Sequence, residues 1–149
     1  MIWVTGDTHG DWVHRVNMDS FPEQREMSKD DYVIILGDFG IWRDSPQQRW
    51  YLNWLEEKSF TTLFIDGNHE DYDVLKRLPK ISDSENELLF QKSGCSLTAE
   101  NTMKASDGIY YLKRGSVCKI DGFSILLIGG STTGPGYKKN HPDIWQKDE

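Results

Sequence analysis

The sequence of 149 residues predicts a single α/β domain built on a mostly parallel sheet with helical cover. Three short apolar runs each end in a turn that contains glycine beside an acidic or amide residue. Segments with helical spacing lie between these runs, and the alternation of strand and helix is typical of parallel βαβ units. A chain of this length buries enough surface to fold without disulfides or a structural metal.

The apolar runs are predicted as three buried strands, over residues 2–5, 32–36 and 63–65. Continuous runs rich in β-branched and aromatic residues that stop at turn residues are typical of strands covered on both faces. The turns that follow them read GDTHG at residues 6–10, GDFG at residues 37–40 and DGNHE at residues 66–70.

Two helices are predicted beside these strands. Ser45 and Pro46 supply an N-cap and a first-turn proline for the longer one. Its apolar residues at helical spacing are Trp50, Tyr51, Trp54 and Leu55. A shorter helix is predicted over residues 71–78 and ends near Pro79, which cannot continue a helix.

The second half of the chain predicts a different organisation. Residues 80–108 are polar and irregular, and we interpret them as a variable insertion loop within the single domain, with a short helix at 88–91. Asp121 and Gly122 suit a type I′ turn and therefore predict a hairpin. Three strands are predicted here, over residues 109–112, 116–120 and 123–128.

Composition and charge narrow the functional classes. Seventeen basic and twenty-four acidic residues give a net charge of −7, so the chain has no general attraction for nucleic acid or an anionic membrane. The charge therefore argues against nucleic acid as a partner, although bound cations would change the local sign. Cys95 and Cys118 have no spacing typical of a zinc site. The first four residues leave no room for a signal peptide, so we expect a cytoplasmic protein.

Potential metal ligands follow the three strands. They are Asp7, His9, Asp38, Asn68 and His69. In an open α/β sheet, ligands bind where the loops after the carboxyl ends of the strands meet. Oxygen and imidazole donors without a thiolate suit manganese, iron or zinc. A glycine before each acidic or amide residue is expected to let the backbone turn sharply and come close to the metals.

This donor set predicts chemistry on a phosphate. Asp7 and His9 lie two residues apart on one tight turn, so both side chains can reach one ion. Asp38, on the middle turn, is the natural bridge between two ions, and ions about 3.5–4 Å apart can clamp a phosphate and activate a water. His69, beside a ligand but free of metal, is expected to bind a phosphate oxygen or protonate the leaving group.

The three turns resemble the motifs of the calcineurin-like metallophosphoesterase superfamily, which run DxH, GD and GNH followed by Asp or Glu. Their order and separation match, and the resemblance extends over residues 1–130. It implies a sandwich of mixed β-sheets flanked by helices. It also implies that Asp7, His9, Asp38 and Asn68 are metal ligands, that His69 is catalytic, and that two divalent ions are bound, with manganese expected first.

The resemblance weakens after residue 130. In the superfamily, further histidine ligands come from a later part of the fold, including a GHxH motif. This sequence contains only His14 and His141 besides the two histidines already named. We expect His14 to be solvated, and the fold to lack its C-terminal part. The metal site would then hold one ion or none if the shortened chain disables it.

Two functions follow from these observations. The first is a metal-dependent phosphoesterase acting on a phosphomonoester or phosphodiester. The alternative is a truncated, non-catalytic or weakly metal-binding remnant of the fold that serves as an interaction module. A third arrangement completes the site across a homo-oligomer, with His141 or an exchanged tail supplying ligands. The GNHE turn is similar to that of serine/threonine protein phosphatases, whereas residues 37–40 lack their GDxVDRG motif, so the substrate stays undefined.

Overall fold

The computed structural model describes residues 1–41, 45–93, 97 and 100–130. Three parallel strands form one side of its main sheet, and each begins and ends close to the predicted apolar run. They are β1 (Ile2–Gly6), β2 (Tyr32–Leu36) and β3 (Thr61–Ile65). Their register pairs Gly6 with Leu36 and Leu36 with Ile65, so the three strands end at the same edge.

The helices that follow these strands in the chain are explained by local signals. They are α1 (Trp12–Arg15), a 3-10 turn (Pro22–Glu26), α2 (Pro46–Glu56) and α3 (Tyr72–Arg77). Ser45 caps α2 as predicted, because its hydroxyl accepts from Gln48 N at 3.1 Å. Asp71 caps α3 by accepting from the backbone of Asp73 and Val74. Capping of this kind satisfies amide groups that have no partner within the helix.

The segment at residues 80–108 is more regular than the sequence indicated. It contains α4 (Asp83–Ser93) and β4 (Thr102–Ser106), where an irregular loop with a helix at 88–91 was expected. β4 pairs antiparallel with β5 (Ile109–Leu112) through a two-residue turn at Asp107 and Gly108. Asp-Gly is a strong hairpin signal, and the polar residues around it concealed that signal here. Lys104 on β4 contacts Glu85 on α4, with Nζ 2.7 Å from Oε1.

The described strands form two sheets. The five-stranded sheet has the order β1-β2-β3-β5-β4, in which only β4 is antiparallel. The second sheet is the predicted hairpin of β6 (Val117–Ile120) and β7 (Phe123–Leu126), and positive φ angles at Asp121 and Gly122 confirm its turn. The mixed sheet with helical cover is the α/β architecture that the sequence predicted.

Each face of the five-stranded sheet buries its own apolar cluster. Val33, Ile35 and Phe64 face the helices, where Trp12 and Leu55 pack against them. The opposite face packs against the β6–β7 hairpin, with Ile34, Leu63 and Tyr110 on one side and Cys118 and Ile120 on the other. Burial on both faces explains why the central strands read as continuous apolar runs. None of the described helices is both long and apolar enough to span a bilayer.

Candidate metal centre

The three predicted turns meet at the carboxyl edge of β1, β2 and β3. His9 N donates to Asp38 O at 2.7 Å, and Gly10 N donates to Phe39 O at 3.0 Å, so the first turn is bound to the second. His69 N donates to Asp38 Oδ1 at 2.8 Å, which binds the third turn to the second. The middle turn therefore positions the other two.

Three side chains at this edge lie close enough together to hold one metal ion. His9, Asp38 and His69 each present one ligand atom, and these atoms lie within 4.8 Å of one another. His9 Nε2 is 3.5 Å from Asp38 Oδ2, and the two imidazole rings lie at 90° with their centroids 5.3 Å apart. The Asp38 side chain is 8% exposed and that of His9 is 43% exposed. Two imidazoles and one carboxylate suit a first-row divalent ion.

The other two predicted ligands lie in an adjacent pocket of about 270 Å³. Asp7 and Asn68 line this strand-end pocket together with Asp38 and with the glycines at 129 and 130. Asp38 is therefore common to the pocket and to the His9–Asp38–His69 group. The bridging role of Asp38 stays a prediction, and this shared position is compatible with it.

The position of His69 leaves two roles open. The resemblance assigns it as the catalytic histidine, whereas the geometry places its imidazole among atoms that can hold one ion. A histidine bound to metal through one nitrogen cannot also donate a proton from that nitrogen. The catalytic assignment of His69 stays a prediction, and so do the ligand assignments of Asp7, His9, Asp38 and Asn68.

Unusual backbone conformations are concentrated at the site. Asp7, His9 and Asp38 all have positive φ, at 27°, 48° and 46°. Among the described residues, Asp121 in the hairpin turn is the one further non-glycine residue with positive φ. Residues other than glycine rarely adopt this conformation, because it costs about 1–2 kcal/mol. Such strain often accompanies function, since the surrounding structure must hold the residue in place.

The glycines before the predicted ligands differ in their roles. Gly37 has a φ of +89°, which fits the expected sharp turn. Gly6 and Gly67 do not lie in the left-handed region, so a positive φ does not explain the glycine at these two positions. A Cβ at Gly67 would overlap Asp38 Oδ1 and Asp38 N, whereas a Cβ at Gly6 would meet nothing within 4 Å. Gly67 is required for close packing against Asp38.

We expect Gly67→Ala to destabilise the protein and to weaken metal binding. The added methyl group must displace Asp38, and overpacking of this kind costs about 1–3 kcal/mol. Gly6→Ala is the matched control, because its site is open and loss of chain entropy in the unfolded state should make it neutral or stabilising by about 0.4–1 kcal/mol. Urea unfolding and manganese titration measure both effects. Equal stability of the two variants would contradict the close contact at Gly67.

Glu70 is a residue whose role the sequence analysis missed. Its side chain is completely buried, and its carboxyl oxygens accept from Phe39 N at 2.6 Å and from Gly40 N at 3.3 Å. Burial raises the pKa of Glu70 to about 8, and the backbone hydrogen bonds oppose this rise. Glu70, which lies on the third turn, therefore binds the backbone of the second turn. An acidic residue next to His69 was visible in the sequence, but its partners are distant in the chain.

The remaining predicted residues lie away from the metal-ligating group or outside the described residues. His14 is 81% exposed, with Nδ1 2.5 Å from Asp11 Oδ1, which confirms the expectation of a solvated histidine. Cys118 is buried and forms no disulfide. His141 and Cys95 lie outside the described residues, as does the segment after Gly130.

Comparison with known families gives one match. The family model described as calcineurin-like phosphoesterase matches residues 1–148 of the chain. This match covers nearly the whole sequence and includes all three strand-end turns. No curated protein and no solved structure gives a significant match.

Proposed function

Because the chain belongs to the calcineurin-like phosphoesterase family, we propose that it hydrolyses a phosphomonoester or phosphodiester at the carboxyl edge of β1, β2 and β3. The observation that carries this proposal is the convergence of His9, Asp38 and His69, whose ligand atoms lie within 4.8 Å of one another. These residues come from three different turns, so their convergence depends on the whole fold. The family match also favours this function over a non-catalytic remnant.

The donor set fits divalent ions. We assign Asp7, His9, Asp38 and Asn68 as ligands of two ions, with manganese as the first choice and iron or zinc as alternatives. When bound, such ions act as Lewis acids on the phosphate and lower the pKa of a coordinated water. Asp38 is the candidate bridge, because it belongs both to the three-residue group and to the strand-end pocket.

The protein groups around the ions complete the chemistry. His69 is expected to donate a proton to the leaving oxygen or to bind a phosphate oxygen. The hydrogen bond from His69 N to Asp38 Oδ1 holds the histidine beside the candidate bridge. The apolar side chains of Leu36 and Ile128 line the strand-end pocket and are 50% and 75% exposed. They are therefore available to contact the organic part of a substrate.

Metal content and ester hydrolysis test the proposed function. Protein purified without chelator should contain about two equivalents of manganese, iron or zinc per chain, as a two-ion site requires. It should hydrolyse p-nitrophenyl phosphate or bis-p-nitrophenyl phosphate, lose activity on chelation, and regain it with added manganese. One equivalent or less that manganese does not raise, without hydrolysis of either ester, would contradict the proposal.

We expect His69→Ala to lower kcat by about 10²–10⁴-fold, the usual contribution of a general acid. The metal content of this variant should stay at the wild-type value, because His69 is proposed to be free of metal. His14→Ala, which removes an exposed histidine, serves as the control and should keep full activity. Loss of metal in His69→Ala would identify the residue as a ligand and contradict the catalytic assignment.

Other features stay predictions. We expect a phosphorylated substrate whose type the sequence does not define, and the acidic net charge makes nucleic acid a less favoured partner. A cytoplasmic location and a homo-oligomeric state are likewise predictions from the sequence. Cell fractionation and light scattering of the purified protein test these two.

A further inference from the structure

An ion pair between a buried carboxylate and a partly exposed arginine lies directly before the turn that carries Asn68 and His69. Asp66 has no exposed surface, and its carboxylate meets two partners. Oδ1 accepts from the hydroxyl of Tyr111 at 2.9 Å, and Oδ2 lies 2.8 Å from Arg114 Nε. Arg114 Nε is not aligned for a hydrogen bond with Oδ2, so the contact between them is an electrostatic one. A buried carboxylate without such a partner would be strongly unfavourable.

Arg114 also contacts Tyr72, which follows the turn in the chain. Its guanidinium carbon lies 5.1 Å from the centre of the Tyr72 ring, within the range of a cation–π contact. The Tyr72 hydroxyl donates to Gly67 O at 2.5 Å. Arg114 therefore contacts Asp66 directly. It also contacts Tyr72, whose hydroxyl binds the carbonyl of Gly67, so it supports two consecutive residues at the start of the turn.

The backbone of Asp66 and the side chain of Arg114 also lie against the last described segment of the chain. Gly130 N donates to Asp66 O at 3.0 Å. A Cβ at Gly129 would overlap the same carbonyl oxygen, and a Cβ at Gly130 would overlap the Arg114 guanidinium. Both glycines line the strand-end pocket with Asn68 and Asp38. The ends of β3, β5 and β7 thus meet around the Asp66–Arg114 pair beside the pocket.

We propose that Arg114 is a positioning residue, which holds Asp66 and thereby sets the Gly67–His69 turn against Asp38. This proposal rests on the proposed function for its effect on catalysis, but its structural part does not depend on metal. The direct readout is the His69 amide, which donates to Asp38 Oδ1. The Arg114 side chain is 29% exposed and is not among the residues that line the pocket.

The test uses the full chain without metal and measures hydrogen exchange of the His69 amide by NMR. Arg114→Met should speed this exchange at least 10-fold more than exchange in the centre of β2. Arg114→Lys should restore part of the protection, since lysine returns the charge but not the planar group that stacks on Tyr72. Arg25→Met, which replaces an exposed arginine, is the control and should leave exchange unchanged.

A second variant separates positioning from stability. Asp66→Asn combined with Arg114→Met removes both charges, so Tm should return toward the wild-type value. We expect the His69 amide to stay poorly protected, and the dissociation constant of manganese to stay about 10–100-fold raised, as is typical when a supporting group is lost. The kcat for p-nitrophenyl phosphate should fall with KM nearly unchanged.

Three results would overturn the proposal. Exchange that rises equally across the sheet would show that Arg114 contributes only to global stability. Normal His69 protection in the double variant would show that the pair does not set the turn. A raised KM with unchanged exchange would show that Arg114 contacts substrate directly. A wild-type protein that binds no manganese and hydrolyses no ester would contradict the proposed function alone, because the exchange result would still decide the role of Arg114.

Discussion

Asp38→Asn should abolish metal-dependent activity while the fold stays intact. The substitution keeps the shape of the side chain, and Asn Oδ1 can still accept from His69 N, which lies 2.8 Å from Asp38 Oδ1. It removes the negative charge at the residue common to the three-residue group and the strand-end pocket. Bound metal ions stabilise the transition state by several kcal/mol. Losing the ions should therefore lower kcat by about 10²–10⁴-fold.

The stability of the metal-free variant provides a second result. After burial, the charge of Asp38 is one of the causes that raise the pKa of Glu70 to about 8, so the two carboxylates repel one another once Glu70 is ionised above that pH. At pH 9, metal-free Asp38→Asn should therefore have a Tm equal to or higher than that of the metal-free wild type. Thermal unfolding with and without manganese measures this, and manganese should raise Tm in the wild type alone.

The control for this experiment is Asp19→Asn, which removes an exposed carboxylate outside the three turns. It should bind metal and hydrolyse ester as the wild type does. If Asp38→Asn kept its metal content and activity, the bridging assignment would be wrong. If its metal-free Tm fell sharply, Asp38 would serve mainly as a structural acceptor for the third turn.

The strands and their turns could be predicted from the sequence because their signals are local. A continuous apolar run followed by glycine and an acidic residue predicted β2 almost residue by residue. Ser45 and Pro46 predicted the start of α2 for the same reason. The ligand types at the ends of three adjacent strands then placed Asp7, His9, Asp38, Asn68 and His69 at one edge.

The missed features depend on contacts between distant parts of the chain. β4 has a weak pattern of its own and is a strand because it pairs with β5. Glu70 is buried because the second turn supplies backbone donors for its carboxylate. The role of Arg114 becomes visible only when the end of β5 lies beside the end of β3. Polar residues with such partners carry no periodic signal that a single sequence could reveal.

Gly40→Ala should cause the largest loss of stability of any variant considered above. Gly40 has a φ of +99°, where a side chain is strained whatever the available space. A Cβ would also overlap Gly10 N and lie 2.7 Å from His9 C. The backbone strain costs about 1–2 kcal/mol, and the overpacking adds about 1–3 kcal/mol. Since Gly10 N donates to Phe39 O, the variant should also separate the first turn from the second and displace His9.

Gly115→Ala is the matched control for backbone strain. Gly115 has a φ of +80°, but a Cβ there would meet nothing within 4 Å. This variant should lose only the backbone contribution, whereas Gly40→Ala should lose the contact between the turns as well. For a chain of this size the full loss corresponds to a fall in Tm of about 5–20 °C. The manganese dissociation constant should rise in Gly40→Ala and stay unchanged in Gly115→Ala. Equal losses of Tm in the two variants, with metal binding retained in both, would show that the close approach of Gly40 to Gly10 does not position His9.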